Sequence, residues 1–222
     1  MATTTIEALK KKHNHPSNVR KALNVLAFFA PMTAALPEAI TEAGGALKEL
    51  PAEYMPLGVF TTDGGAITPE VSVEDVEALG YAEPVRSDLT KSAKTVKLTI
   101  LEVFRKQILE LVHGIDLSQV KADKNTGEIV FDEPSLPILK EHRLLVISAD
   151  GPVDDEYLMA WGYPRVKLSS LPETALKATD AIQGALEFKV LSDEVLGTPC
   201  RHYLGGSGVL KHVDAMGFEK AA

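Results

Sequence analysis

The sequence predicts an α+β domain that is mainly β, and three features carry that expectation. Lys94 to Leu101 alternates without a break, with Val96, Leu98 and Ile100 on one side and Thr95, Lys97 and Thr99 on the other, the period of a half-buried strand. It runs straight into the clearest helical pattern. Phe104, Ile108, Leu111 and Val112 fall at i, i+4, i+7 and i+8, Arg105, Lys106 and Glu110 face away, and Gly114 supplies a stop. Further on, apolar runs at 143–148, 157–168, 186–191 and 200–204 read as additional strands around that one helix.

Taken in order, residues 1–17 form a basic N-terminal arm expected to be flexible. The stretch from Val19 to Thr33 fits two periods: Val19, Leu23, Leu26, Ala27 and Ala30 make a helical stripe, while Leu23, Val25, Ala27 and Phe29 make one face of a strand. Pro31 ends either one. In the inserted segment 38–55, Ile40, Ala43, Leu47 and Leu50 sit at helical intervals, but Gly44 and Gly45 leave any helix short or broken. A strand from Pro56 is expected to end in a turn at Asp63-Gly64-Gly65, and Val71 and Val73 alternate with Ser72 and Glu74. VKADKNTGEIVF, residues 120–131, reads as a hairpin turning at Asn125-Thr126-Gly127. No repeat and no Pro-, Gly- or Ser-rich linker divides the chain, so one domain over 18–204 with a C-terminal tail, 205–222, is the expected organisation.

Composition narrows the function classes. The 222 residues are 45 % hydrophobic, enough to close a core, and carry a net charge of −8. The first 21 residues hold Lys10, Lys11, Lys12, Arg20 and Lys21 against Glu7, a balance of +4, which leaves −12 on the rest. An acidic body is a poor grip for nucleic-acid phosphates. A single cysteine, Cys200, excludes an internal disulfide and a cysteine-rich zinc site. The basic start before the apolar Ala22 to Leu36 has the outline of an export signal, but Asn24 and Pro31 interrupt it and no small-x-small cleavage site follows. No stretch supplies the roughly 20 apolar residues of a membrane span.

No catalytic, cofactor-binding or metal-binding residues are expected. Counted from Asp123, Gly127 is fifth and Pro134 twelfth, whereas a calcium loop needs glycine sixth and glutamate twelfth, so Asp123, Asn125 and Gly127 belong to turn chemistry. LGGSGVLK, Leu204 to Lys211, has glycines at 205, 206 and 208, which is neither phosphate-loop spacing, and it reads as a flexible turn. Of the six histidines, His13 and His15 lie in the arm, His113 suits the helix C-terminus, and His142, His202 and His212 form no metal-ligand pair at recognised spacing. The acid pairs Asp154-Asp155 and Glu74-Asp75 read as solvated faces. Cys200 and His202 would share a strand face, yet a thiol nucleophile also needs an orienting group.

The order of these elements resembles a known family. FFAPMTAALPEA (Phe28 to Ala39), PLGVFTTDGGAITPEVSVEDVEALGYAEPVRSDLT (Pro56 to Thr90) and TVKLTILEVFRKQILELVHG (Thr95 to Gly114), separated by a variable insert, are similar in pattern to the major tail tube proteins of long-tailed bacteriophages, over roughly residues 22–204. The resemblance implies two packed antiparallel sheets, sandwich- or barrel-like, with one flanking α-helix. It implies a structural virion protein rather than an enzyme: subunits form hexameric rings, stacked into a hollow tube around a tape-measure protein and closed by terminator and tip proteins. Double-stranded DNA passes through the lumen without specific binding. Such a tail, expected to be flexible and non-contractile, is assembled in the host bacterial cytoplasm, with no membrane partner and no cofactor. On this reading the arm and the 121–132 hairpin order on docking to neighbouring subunits. The alternatives are a secreted β-rich binding or adhesion domain and a hydrolase built on separated carboxylates or on Cys200 and His202.

Overall fold

The computed structural model describes residues 4–220. Eight strands make one antiparallel sheet: β1 (Asn24–Pro31), β2 (Met55–Pro56), β3 (Phe60–Val76), β4 (Arg86–Ile100), β5 (Glu141–Asp150), β6 (Tyr157–Ser170), β7 (Gly184–Val190) and β8 (Arg201–Gly205). Their order is β2-β1-β5-β6-β7-β4-β3, with β8 paired to β6 off that path. The fold is mainly β, as the alternating segments require.

The two expected sheets are halves of one continuous sheet, and β6 belongs to both. Its first part, Leu158 to Gly162, pairs with β8, and its last part, Val166 to Ser170, pairs with β7, while β5 lies along the other edge. The halves close over a common core of Ala27 and Phe29 from β1, Val96, Leu98 and Ile100 from β4, Leu144 and Val146 from β5, Tyr163, Val166 and Leu168 from β6, and Leu186, Phe188 and Val190 from β7. At the seam where β1 approaches β3, the amide of Leu57 donates to the carbonyl of Ala27, at 2.8 Å.

β5 is buried on both faces, which explains the unbroken run Leu144-Leu145-Val146-Ile147. Leu145 and Ile147 face a second cluster, covered by Ala34, Ile40 and Tyr54. The segment carrying these residues contains no helix. Gly44 and Gly45 instead turn the chain so that Thr41 bridges Leu47, and Tyr54 Oη donates to the carbonyl of Ala35 at 2.9 Å. The ambiguous stretch from Val19 resolves to strand β1, because Ala27 and Phe29 enter the main core while Phe28 and Ala30 pack into the second.

The helix α2 (Lys106–His113) buries Ile108 and Leu111 and ends at Gly114 in the left-handed region, φ +64°. Phe104 is not on its stripe. Arg105 is the N-cap, so Phe104 precedes the helix and stays exposed. The hairpin expected over 120–131 is a turn without strands. Asp123 Oδ1 accepts from the amides of Asn125 and Thr126, both at 2.8 Å, and these bonds hold its carboxyl below the ordinary aspartate range. Its flanks, Ile129 and Val130, are exposed. The turn forms and no strand ladder follows it.

Both tails contain local structure. The arm holds α1 (Ile6–His13), with Thr5 Oγ1 accepting from the amide of Ala8; residues 1–3 lie outside the described chain. The C-terminal stretch forms α3 (Ser207–His212) and the turn Val213–Met216; residues 221–222 of the tail lie outside the description. The glycine-rich LGGSGVLK is confined rather than flexible. Gly206 sits at φ +104°, where a Cβ would overlap the carbonyl oxygen of Glu156, and a Cβ on Gly208 would overlap the Tyr157 ring. Ser207 Oγ completes the join, accepting from the amide of Glu156 and donating to the carbonyl of Val153, each at 2.9 Å.

Candidate assembly surface

The turn expected at Asp63-Gly64-Gly65 does not reverse the chain. A Cβ on Gly65 would lie 2.5 Å from Leu98 Cδ2 and 2.7 Å from the Lys97 carbonyl, so glycine serves close strand approach and β3 continues through it. The reversal comes at 77–85, where the amide of Val85 donates to the carbonyl of Val76 and Gly80 takes φ +90°. Thus β3 and β4 form one long hairpin.

Only its base belongs to the body. β4 pairs with β7 from Thr95 to Ile100, whereas Arg86 to Lys94 pairs with β3 alone. Those nine residues reach about 30 Å at the rise of a strand. Beyond Thr95 the hairpin is therefore a bare ribbon.

The ribbon is amphipathic in a specific sense. Ile67 lies opposite the fully buried Val96, so the side of the ribbon holding Ile67 is the continuation of the core face. Two-residue steps outward bring Val71 and Val73 to that side. Val73 is paired with Leu89 beyond a bulge at Thr90. Val71, Val73 and Leu89 are 62 %, 59 % and 62 % exposed, and Leu79, Tyr81 and Val85 are exposed at the tip. The opposite side is polar, with Lys91 Nζ 3.3 Å from Glu70 Oε2 and Arg86 Nε 2.7 Å from Asp88 Oδ2. From Glu70 to Asp88 there are six carboxylates, Glu70, Glu74, Asp75, Glu77, Glu83 and Asp88, against one cation, Arg86. The ribbon therefore presents an apolar face with no layer over it and an acidic tip.

The arm is the basic counterpart. No residue of α1 is buried; Ile6 and Leu9 are exposed, and Lys10, Lys11 and Lys12 fill its last turn. The chain then passes through the turn Pro16–Asn18, where Asn18 Nδ2 donates to the carbonyl of Ala215 at 2.9 Å. Arg20 lies 3.2 Å above the Tyr157 ring and 4.0 Å from Asp150, while the Lys21 amide donates to Asp150. These contacts fix where the arm leaves the body.

The residues weighed for chemistry are dispersed. Cys200 is half-buried against the main core with Sγ 3.8 Å from the Arg201 carbonyl, and His202 points to solvent. Burial is the main cause pushing the Cys200 thiol up, the opposite of an activated nucleophile. Asp155 lies 3.4 Å from His212, and the Asp154 carbonyl accepts from Lys211, so that acid pair helps seat α3. Glu74 and Asp75 stand on the hairpin. His113 Nδ1 is 2.8 Å from Glu133, His13 ends α1 and His15 follows it in the exposed arm. Among the described residues no group of three or more His, Cys, Asp or Glu is placed to hold a metal ion, and no helix is long and apolar enough to cross a membrane.

The buried thiol leads to a direct test: Cys200 should react with a thiol reagent about tenfold more slowly in the folded chain than in denaturant at the same pH. Equal rates would show an open, activated cysteine.

The hairpin was only half legible as a site. The alternation at Val71 and Val73 is visible in the sequence, but nothing in a pattern distinguishes an apolar face covered by its own chain from one left bare. α1 had a signal in Thr5 as N-cap, Glu7 in the first turn and lysines in the last. No protein-family model matches the chain, and no curated protein is similar enough to it to register as a relative.

Proposed function

We propose that this chain is a structural virion protein, the major tail tube subunit of a long-tailed bacteriophage, which assembles into stacked hexameric rings enclosing a passage for DNA. The observation that carries the proposal is the β3–β4 ribbon, an extension of the core face about 30 Å beyond the body with no layer of its own. A subunit that must be covered by another copy, through a surface unlike the one it covers, makes heterologous contacts, and these propagate into rings and tubes. The long outer edge of β3, free of a strand partner among the described residues, adds a second surface of the same kind.

Charge supports the same reading. A body of −12 lets a lumen repel phosphates, so DNA slides without being gripped. The tape-measure, terminator and tip proteins, and assembly in the bacterial cytoplasm, follow from this role and from the family resemblance. Purified protein concentrated and viewed in negative stain should show rings or tubes of uniform bore. A monomer under every concentration and salt condition tried would overturn the proposal.

A further inference from the structure

We infer that the acidic tip of the β3–β4 hairpin of one subunit docks on the basic helix α1 of a second copy of this chain. This deepens the tail tube reading and rests on it, since it names the two surfaces that meet when copies associate.

Each surface lacks what the other has. The tip exposes Leu79, Tyr81 and Val85 beside Glu74, Asp75, Glu77 and Glu83, carboxylates that join none of the ion pairs among the described residues. α1 exposes Ile6 and Leu9 beside Lys10, Lys11 and Lys12, which are likewise in no such pair. An apolar strip flanked by one sign of charge is matched by an apolar strip flanked by the other.

The helix itself asks for a partner. Eight residues fall short of the roughly 12–15 at which an isolated helix becomes even marginal in water, and α1 buries nothing against its own body. Another exposed apolar surface is the groove between β1 and β3, lined by Leu23, Val25, Leu26, Val59 and Phe60. Its charges are already matched, because Arg105 Nε is 2.5 Å from Glu102 Oε2. Nothing there answers four unpaired carboxylates. Within one chain the arm is tied at Asn18, Arg20 and Lys21, and the side chains of α1 and of the tip both face solvent, so neither covers the other.

The test uses full-length chains in a Cys200→Ala background, one carrying Leu9→Cys and the other Leu79→Cys with a mass tag. Mild oxidation of the mixture should give a disulfide-linked species of the combined mass. Its yield should fall about tenfold when salt shortens the screening length. Lys10→Glu, Lys11→Glu and Lys12→Glu together should weaken association roughly hundredfold, and Glu74→Lys, Asp75→Lys and Glu77→Lys in the other chain should restore it. Mixed species no more abundant than with a control cysteine at the exposed Ser118 would overturn the pairing. Tubes that form normally with α1 reversed in charge would overturn it while leaving the tail tube reading intact. A linked pair that never grows beyond dimers would instead overturn the tail tube reading and leave the pairing.

Discussion

Excising Glu70 to Ala93 and joining Pro69 to Lys94 through Asn-Gly should leave a folded monomer that forms no rings or tubes. Pro69 and Lys94 lie directly opposite in the ladder, so a two-residue turn can close there without shifting the register below. Everything that holds the body lies on the near side of the cut: Val96, Leu98 and Ile100 stay in the core and β7 stays paired to β4. The excised residues bury little, so the melting temperature should move by only a few degrees. Assembly is a different matter. Burying a valine or leucine fully is worth roughly 1.5–3 kcal/mol, and Val71, Val73 and Leu89 each keep more than half their surface in solvent until something covers them. Removing three such groups, with the tip, at every interface of a repeating tube should eliminate assembly rather than weaken it. Sedimentation and negative stain on the trimmed protein decide the matter. Persisting tubes would show that the hairpin is not the contact, and an unfolded monomer would show that the ribbon belongs to the core.

What the sequence could disclose about this hairpin divides at Thr95. Val96, Leu98 and Ile100 alternate because one side is packed, and the same alternation at Val71 and Val73 has the same cause in the sequence but no cover in the folded chain. Periodicity reports which side is apolar, not what lies against it. The turn signature at Asp63-Gly64-Gly65 misleads for a related reason. Glycine answers both a reversal and a close approach, and only the position of Leu98 tells that Gly65 answers the second. Conversely, Asn125-Thr126-Gly127 does turn the chain, yet its exposed flanks pair into no strand. Helix α2 was readable from its core side chains Ile108 and Leu111 and its glycine stop, while the apolar Phe104 extended the pattern one turn too far. The clusters that set the second core, Tyr54 against Leu145 and Ile147, depend on contacts far apart in the chain and leave no local period.

The largest single-residue effect on stability is expected at Arg143, a residue that no motif singles out. It lies at the register shift between β5 and β6, with side-chain exposure of 12 %, and joins segments that are otherwise separate. Nε donates to the carbonyl of Ala34 in the loop after β1 and Nη1 to that of Pro164 in β6, at 2.9 Å for the latter. Nη1 also stands 3.6 Å from Asp193 Oδ2, whose side chain is only 5 % exposed. Asp193 in turn caps the loop before β8, accepting from the amides of Val195 and Leu196 at 3.0 and 2.8 Å. Arg143→Met keeps most of the side-chain volume but strands a buried carboxylate and two carbonyls, a loss of about 3–5 kcal/mol. Asp193→Asn removes the charge while keeping an oxygen for the two amides, so it should cost less. The double variant should then be more stable than Arg143→Met alone, because the carboxylate left without its cation has gone. Denaturant unfolding of the four proteins measures that coupling directly. Strictly additive losses would mean that Arg143 acts through its carbonyl contacts alone, whereas recovery in the double variant would identify the buried charge pair as the junction between the loop after β1, the central strands and the loop that leads into β8.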